Sequence, residues 1–213
     1  GGTLDTTQRD ELLAFAKKHD LWIISDEVYD RIVFDGPHVS FLGAGYDKVL
    51  VVNSFSKTFA MTGWRMGYIL SSHAQAMQQV IKMQYYIAAC SNDAMQHAIL
   101  ATIEQASDYP DMVAAEFKQR RGLIVNRLNS MPCVECHKPQ GAIYVFPKVT
   151  VPGMNSQDLA MELLKDGVLC SPGSAFGPSG EGHLRFAYTI SQEDITRGMD
   201  KVETTLNRLL GMD

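Results

Sequence analysis

The stretch NSFSKTFAMTGWRMGY occupies residues 53–68 and follows directly on the apolar run KVLVV at residues 48–52. A run of this kind is too short for a helix and does not alternate, which is typical of a strand covered on both faces in a parallel sheet. Lys57 comes just past the end of the predicted strand, with Ser54 before it and Arg65 after it. Since the carboxyl ends of parallel strands face the ligand crevice of an open sheet, this position favours a lysine that takes part in chemistry.

A second apolar run, LWIIS at residues 21–25, ends directly before Asp26. We expect the two strands to be neighbours, so that Asp26 and Lys57 point into the same crevice. An acid and a lysine alone are equally well explained by a structural ion pair. Tyr29, three residues after Asp26, favours a binding site, because a phenol and a carboxylate on one loop can both contact a planar ligand.

The residues around Lys57 predict a cup for a phosphate group. Ser54 and Ser56 supply hydroxyls, Arg65 supplies a guanidinium, and Gly63 and Gly67 permit close approach of the backbone. A planar ligand that carries a phosphate, an aldehyde for a lysine and a ring nitrogen for an aspartate is pyridoxal phosphate. The residues therefore predict a site for this cofactor, and no metal site.

Four segments of the chain resemble, in order and spacing, the class I/II aminotransferases of the aspartate aminotransferase fold type. They are SDEVYDRIVFDG, NSFSKTFAMTGWRMGYIL, KPQGAIYVFP and SPGSAFGPSGEGHLRFAYT. The resemblance covers the whole chain, and S-x-S-K followed by G-W-R-x-G is its most specific element. It implies a role for each of seven residues: Lys57 as the Schiff-base lysine, Asp26 as the partner of the pyridine nitrogen, Tyr29 as the phenol on the ring hydroxyl, Ser54 and Arg65 as phosphate ligands with Ser56 a weaker candidate, and Arg185 as the arginine that holds the substrate's α-carboxylate.

The resemblance also implies an α/β fold in two parts. Residues 1–105 are expected to be a partial cofactor-binding large domain, a mostly parallel sheet with helices, and residues 106–213 a small α+β C-terminal domain. The family's N-P-T-G motif should lie just upstream of the Asp26 strand; Gly1 resembles its last residue, and the three residues before it are absent from the sequence. The chain thus resembles the C-terminal half of an aminotransferase, truncated at its N-terminus, and a homodimer is implied for the full-length protein.

The predicted reaction is the transfer of an amino group from an L-amino acid to a 2-oxo acid through a Lys57 Schiff base. A lyase or decarboxylase on the same fold would share every residue named, and a remnant that only binds ligand is a further alternative. The sequence does not distinguish aspartate, aromatic or alanine-type donors, because these enzymes share the motifs.

Composition limits the other possibilities. With 46% hydrophobic residues, 20% charged residues and a formal net charge of −5, the chain has no basic excess that would favour nucleic acid. No apolar run approaches the roughly 20 residues that span a bilayer, so a membrane is not expected and the protein is predicted to be cytoplasmic. CVECH, residues 133–137, matches the C-x-x-C-H pattern of haem attachment, which would make the protein an electron carrier. Two half-buried cysteines on a short strand are favoured instead.

The remaining patterns predict the secondary structure. Thr7 and Asp10 form a capping-box pattern before a surface helix, and residues 72–107 are helical. Farther along, the predicted elements are a helix starting at Asp108 and ending before Pro132, strands at 133–137, 142–146, 168–170 and 183–188, and helices at 156–165 and 191–210.

Overall fold

The computed structural model describes residues 1–212, which form two compact units. The first unit is residues 3–114, and the second unit is residues 1–2 together with the chain from residue 115 onward. The predicted domain boundary between residues 105 and 106 stays a prediction. Within residues 1–212, no helix combines the length and the apolar character needed to cross a membrane.

The first unit is built on a three-stranded sheet in the order β1-β2-β3. Its elements are α1 (Thr6–Lys18), β1 (Ile23–Asp26), β2 (Val49–Ser54), α2 (Phe55–Thr58), β3 (Gly67–Leu70), α3 (Ala74–Ala88), α4 (Asp93–Gln105) and the start of α5 (Tyr109–Asn129). β1 and β2 pair in parallel, which confirms the prediction that the two apolar strands are neighbours. β3 joins β2 antiparallel.

One face of this sheet is covered and the other is open. Leu13 of α1 packs with Phe41, Val49 and Val51 in a small core. On the opposite face of β1, Ile24 is 71% exposed. The prediction that both faces of LWIIS are covered is therefore wrong for the described residues.

The helix α3 is also open, although its sequence has an apolar stripe. None of its residues is buried within the described chain. The exposed apolar side chains are Ile81, Met83, Tyr85, Tyr86 and Ile87. The first unit thus presents apolar surface on a strand and on a helix, which is the pattern of a surface that another segment or molecule covers.

The capping residue of α1 lies two residues earlier than predicted, at Asp5 instead of Thr7. Asp5 has extended backbone, and its side chain accepts a hydrogen bond from the Gln8 backbone N–H at 2.8 Å. The Gln8 side chain accepts in turn from the Asp5 backbone N–H at 3.0 Å. The reciprocal pair is therefore Asp5 with Gln8, and the predicted pair of Thr7 and Asp10 is wrong.

The second unit places helices against short antiparallel strands. Besides the remainder of α5, it contains β4 (Val134–Glu135), β5 (Tyr144–Val145), β6 (Lys148–Val149), α6 (Ser156–Lys165), β7 (Ser171–Pro172), β8 (Leu184–Ala187) and α7 (Gln192–Leu210). β4 pairs with β6, and β8 lies between β5 and β7. Leu128, Leu163, Leu184 and Leu206, from α5, α6, β8 and α7, are almost fully buried in one core.

Candidate functional site

Asp26 and Lys57 lie at the ends of paired parallel strands. Asp26 is the last residue of β1 and is in register with Val52 of β2. The chain continues from β2 directly into the short helix α2, which carries Lys57. Asp26 is exposed and Lys57 is partly buried. Both residues therefore lie at the carboxyl ends of the parallel strands, as the sequence predicts.

Tyr29 and Lys57 come together. The Lys57 Nζ lies 5.9 Å from the centroid of the Tyr29 ring, within the range of a cation–π contact. Tyr29 belongs to the turn that follows β1, where the Asp26 carboxylate accepts a hydrogen bond from the Val28 N–H at 3.3 Å. The amine is thus placed over an aromatic ring on the loop that also carries the acid.

Ser54 and Ser56 form a hydroxyl pair beside Lys57. Ser54 caps α2 by accepting from the Ser56 N–H at 3.1 Å, and the two Oγ atoms lie 2.9 Å apart. The Ser54 hydroxyl also donates to the Met66 carbonyl oxygen at 3.0 Å, which ties α2 to the start of β3. Both hydroxyls are therefore held on the turn that presents the lysine.

Arg65 lies farther along the chain, between a short 3-10 helix (Thr62–Trp64) and β3, and has an unusual backbone. Its φ of 56° and ψ of 42° fall in the left-handed region. The guanidinium donates to the Thr62 carbonyl oxygen at 2.7 Å, and the residue is otherwise exposed. A guanidinium with this much exposure retains donors for an anionic ligand.

The two glycines of the predicted phosphate cup differ. A Cβ at Gly67 would lie 2.6 Å from the Asn53 carbonyl oxygen, so this glycine allows β3 to pass close to β2. A Cβ at Gly63 would meet no atom within 4 Å. Of these two glycines, only Gly67 is required for a close approach of the backbone, and that approach is between strands of the sheet.

A buried carboxylate organises the loop after β1, and the sequence analysis missed it. Glu27 is only 7% exposed. It accepts hydrogen bonds from the Ser25 hydroxyl at 2.9 Å, the His38 Nε2 at 2.8 Å and the Phe41 N–H at 3.1 Å. Burial by itself raises the pKa of Glu27, but the hydrogen bonds from His38, Ser40, Phe41 and Ser25 together bring the pKa below its ordinary value. The signal in the sequence was a charged residue directly after an apolar strand, next to the more prominent Asp26.

Asn53 is the second residue that the sequence analysis missed. It is 6% exposed near the end of the apolar strand β2. Its amide nitrogen donates to the Asp30 Oδ2 at 3.0 Å, and its amide oxygen accepts from the Ser54 N–H at 2.7 Å. A polar residue at the end of an apolar strand was the available signal, because a buried amide needs partners.

Arg185 belongs to the second unit and is described with it. It extends from β8, and its guanidinium carbon lies 4.6 Å from the ring centroids of both Tyr144 and Phe176. The guanidinium also donates to the Ser171 hydroxyl at 3.3 Å. These contacts hold the planar group by its faces and leave its edge for hydrogen bonds.

Arg185 lines a cavity of about 610 Å³ in the second unit. The described lining residues include Lys138, His137 and His183 and contain no Asp or Glu. Phe146 and His183 stack at 5.0 Å and form part of the wall. The cavity therefore combines cationic groups with aromatic surface, which suits an organic anion.

The cysteines of CVECH have different environments. Cys133 is partly buried, and Cys136 is 5% exposed within the core of the second unit. Burial raises the pKa of the Cys136 thiol to about 11. A thiol in the core does not suit covalent attachment of a large macrocycle, so the structure favours packing over haem.

Comparisons with known proteins agree with these observations. The family described as "Aminotransferase class I and II" matches residues 1–202. The chain is 36% identical over 214 residues to an aromatic-amino-acid aminotransferase 2 of Thermococcus litoralis, covering 97% of the chain and 54% of that protein. It is 38% identical over 198 residues to an aspartate aminotransferase of Thermotoga maritima, covering 92% of the chain and 50% of that protein.

The solved structures give the same result. The crystal structure of an aromatic aminotransferase from Pyrococcus horikoshii superposes with a TM-score of 0.91 at 34% identity, covering 97% of this chain and 57% of that one. The predicted α/β fold of the aspartate aminotransferase type is confirmed. The chain spans about half the length of the curated relatives it matches. With residues 1–202 matched, the chain belongs to the class I and II aminotransferases, a family of enzymes that depend on pyridoxal phosphate.

Proposed function

We propose that the protein carrying this chain transfers an amino group from an L-amino acid to a 2-oxo acid with pyridoxal phosphate as cofactor. The observation that carries the proposal is the placement of the Lys57 amine 5.9 Å from the Tyr29 ring, on the turn that also presents Ser54 and Ser56. The family membership supports the same reaction.

The donor set on the first unit fits the cofactor. Each functional group of pyridoxal phosphate has a partner of matching chemistry: Lys57 for the aldehyde, Asp26 for the ring nitrogen, Tyr29 for the ring hydroxyl, and Ser54, Ser56 and Arg65 for the phosphate. The hydroxyl pair at 2.9 Å and the exposed guanidinium supply the donors that a dianion requires. When bound, the cofactor supplies an electron sink for the substrate's α-carbon.

Lys57 is the proposed acid and base. Its amine must lose a proton before it can act as a nucleophile. The neutral amine would then take the proton from the substrate's α-carbon, hold it on Nζ and return it to the carbon of the former cofactor aldehyde. A general base of this kind contributes about 10²- to 10⁴-fold in rate.

Asp26 and Tyr29 would hold the ring of the cofactor. The Asp26 carboxylate would accept a hydrogen bond from the ring nitrogen and so favour its protonated form. The Tyr29 hydroxyl would donate to the ring oxygen. Removal of the charge at Asp26 should lower the rate more than it lowers cofactor affinity, because the protonated ring is needed for electron withdrawal.

Arg185 is the proposed anchor for the α-carboxylate. A guanidinium presents two parallel N–H groups that match a carboxylate, and an ammonium offers only a point charge. The aromatic contacts at 4.6 Å to Tyr144 and Phe176 fix the plane of the fork in advance. The absence of carboxylates from the described cavity lining favours an anionic ligand.

The proposal includes a homodimer and a cytoplasmic location. The exposed apolar side chains on β1 and α3 support association with further protein, since such surfaces are rarely left open. The location rests on composition and on the proposed place of the enzyme in amino-acid metabolism.

The test is product analysis on the whole protein that carries this chain. Supplied with pyridoxal phosphate, an amino acid and a 2-oxo acid, the protein should convert one oxo acid into its amino acid in step with loss of the donor. A panel of aspartate, aromatic and alanine donors would then define the side-chain preference. Release of ammonia or carbon dioxide without amino transfer would instead show a lyase or a decarboxylase.

A further inference from the structure

The buried amide of Asn53 connects two segments of the first unit that are far apart in sequence. One end of the amide donates to the Asp30 Oδ2 at 3.0 Å, and the other end accepts from the Ser54 N–H at 2.7 Å. The orientation of the amide follows from its partners, because a carboxylate oxygen can only accept and a backbone N–H can only donate. Asn53 thus bridges the turn after β1 and the end of β2.

The backbone of Asn53 is held as well. It is paired in register with Tyr68 of β3, and a Cβ at Gly67 would approach the Asn53 carbonyl oxygen to 2.6 Å. The Asp30 carboxylate depends on the bridge, since its other oxygen is buried with no hydrogen-bond partner among the described residues. The position of Asn53 is therefore fixed by the pairing of β2 with β3. Its amide supplies the hydrogen bond to the Asp30 carboxylate.

The two bridged segments are those that carry the proposed cofactor ligands. Asp30 directly follows Tyr29, and Ser54 directly precedes α2 with Ser56 and Lys57. A shift of one segment relative to the other would change the distance between the Tyr29 ring and the serine hydroxyls. Pyridoxal phosphate has a rigid ring and a short arm to its phosphate, so it tolerates little change in this distance.

We propose that Asn53 is a positioning residue that sets the spacing between the ring-contacting segment at Tyr29 and the phosphate-binding hydroxyls at Ser54 and Ser56, an inference that rests on the proposed function. The Asn53 amide is engaged by Asp30 and Ser54 and acts through them. An amide is required because this position needs a donor on one side and an acceptor on the other. Aspartate has the same shape and lacks the donor.

A reciprocal exchange of the two side chains tests the bridge. In Asn53→Asp, the new carboxylate lies opposite the Asp30 carboxylate, at about the distance of the present hydrogen bond. The two like charges repel each other, and this repulsion should move the two segments apart. Adding Asp30→Asn restores a donor opposite the new carboxylate, and the other oxygen of that carboxylate still accepts from the Ser54 N–H. The double variant therefore keeps both hydrogen bonds of the bridge, and only the direction of the one between residues 30 and 53 is reversed. Asp30→Asn alone should be mild, because its amide oxygen can still accept from Asn53.

The readout is the ratio of the affinities for pyridoxal phosphate and for pyridoxal, measured on the whole protein that carries this chain. Asn53→Asp should lose at least about tenfold in affinity for pyridoxal phosphate and should change less for pyridoxal, because the long Lys57 side chain can follow a shift of its segment whereas the short, hydrogen-bonded serine side chains cannot. The double variant should recover the wild-type ratio to within about threefold.

The matched control is Asn129→Asp in the second unit. The Asn129 amide also forms a bridge by donating one hydrogen bond and accepting another. It accepts from the Cys136 N–H at 2.8 Å and donates to the Cys136 carbonyl oxygen at 2.9 Å. Its replacement should lower the melting temperature and leave the ratio unchanged. A change in the ratio with Asn129→Asp would show that general loss of stability moves the readout, and the inference would be overturned.

The remaining outcomes separate the inference from the proposed function. A wild-type protein that binds pyridoxal phosphate no better than pyridoxal would overturn the phosphate cup, and the inference with it. A wild-type preference that survives in Asn53→Asp would overturn the inference alone. If Asn53→Asp does not fold, recovery of folding and of the ratio in the double variant supports the bridge, and failure of the double variant refutes it.

Discussion

Gly173 and Gly180 pass so close to each other that neither position has room for a side chain. A Cβ on Gly173 would overlap the carbonyl oxygen of Gly180 and would lie 2.6 Å from that of His183. The Gly173 N–H donates to the His183 carbonyl oxygen at 2.8 Å. The glycine-rich segment before β8 is thereby folded back on itself, and it leads into the strand that carries Arg185.

Gly173→Ala should therefore destabilise the second unit. The added methyl group meets backbone atoms, which cannot rotate away, so the cost should be about 1–3 kcal/mol or more in the free energy of unfolding. Urea unfolding measures it. Gly198→Ala is the matched control, because that glycine lies within α7 with no atom within 4 Å of an added Cβ. It should stabilise the protein by about 0.5–1 kcal/mol.

Lys57→Ala should abolish the covalent link to the cofactor and nearly all turnover. Borohydride reduction followed by peptide mapping should place the cofactor on Lys57 in the wild-type protein and on no lysine in the variant. Lys48→Ala is a control, since Lys48 is paired with Asp20 at 2.5 Å at the opposite end of β2. Recovery of the cofactor on any other lysine of the wild-type protein would disprove the assignment.

Arg185→Lys should weaken substrate binding more than cofactor binding. The fork and the face contacts with Tyr144 and Phe176 are lost while the charge remains. Truncating a buried paired charge costs about 2–5 kcal/mol, and lysine should recover only part of that amount. Titrations with a substrate carboxylate and with the cofactor compare the two losses. Equal losses would contradict a role specific to the substrate.

Glu27 should make the stability of the protein depend on pH in the acid range. Because the folded-state pKa of Glu27 lies below its ordinary value of 4.5, its contribution is fully present above that pH and is lost as the pH falls through the folded pKa. Glu27→Gln should cost about 1–2 kcal/mol near neutral pH, because charge-assisted hydrogen bonds from His38 and Phe41 become neutral ones.

Urea unfolding over a range of pH tests this expectation. The difference between wild type and Glu27→Gln should shrink as the pH falls below about 4.5, where the wild-type carboxylate also loses its charge. Glu104→Gln, at an exposed position of α4, should follow the wild type at every pH. A Glu27 difference that does not vary with pH would show that the side chain acts only by packing.

Cysteine labelling should follow burial. Cys90 is exposed, whereas burial raises the pKa of both Cys136 and Cys170 to about 11. Near pH 8 only about one in a thousand of such thiols is ionised, and the thiolate is the reactive form. A thiol reagent should modify Cys90 first, and Cys90→Ser should remove the fast phase. Rapid labelling of Cys136 in the folded protein would reopen the haem interpretation of CVECH.

Elements with both a periodic pattern and a clear terminus were predictable from sequence. The predicted helix 156–165 coincides with α6, and the prediction of 191–210 differs from α7 by one residue. The strand predicted at 168–170 begins at Ser171 instead. The chain is still closing α6 there, with Gly167 in the left-handed region and the Val168 N–H donating to the Leu163 carbonyl oxygen at 2.9 Å. A one-dimensional pattern does not show how far such a closure extends.

The same limit applies to the candidate site. Asp26 and Lys57 could be placed because strand ends and their register follow from two similar apolar runs. The roles of Glu27 and Asn53 could not be predicted, because they depend on partners distant in sequence. These partners are His38 for Glu27 and Asp30 for Asn53. A side chain that satisfies buried donors and acceptors is recognised only when those partners are known.

At Arg65, whose backbone is left-handed, selection for folding and selection for cofactor binding favour different residues. A non-glycine residue in that region costs about 1–2 kcal/mol, and glycine adopts it freely. In a library randomised at this codon, a screen for folded protein alone should enrich glycine from generation to generation. A screen that demands retention of the phosphate-bearing cofactor should return arginine. The ratio of arginine to glycine among the surviving variants would then measure the strength of selection for cofactor binding relative to selection for folding.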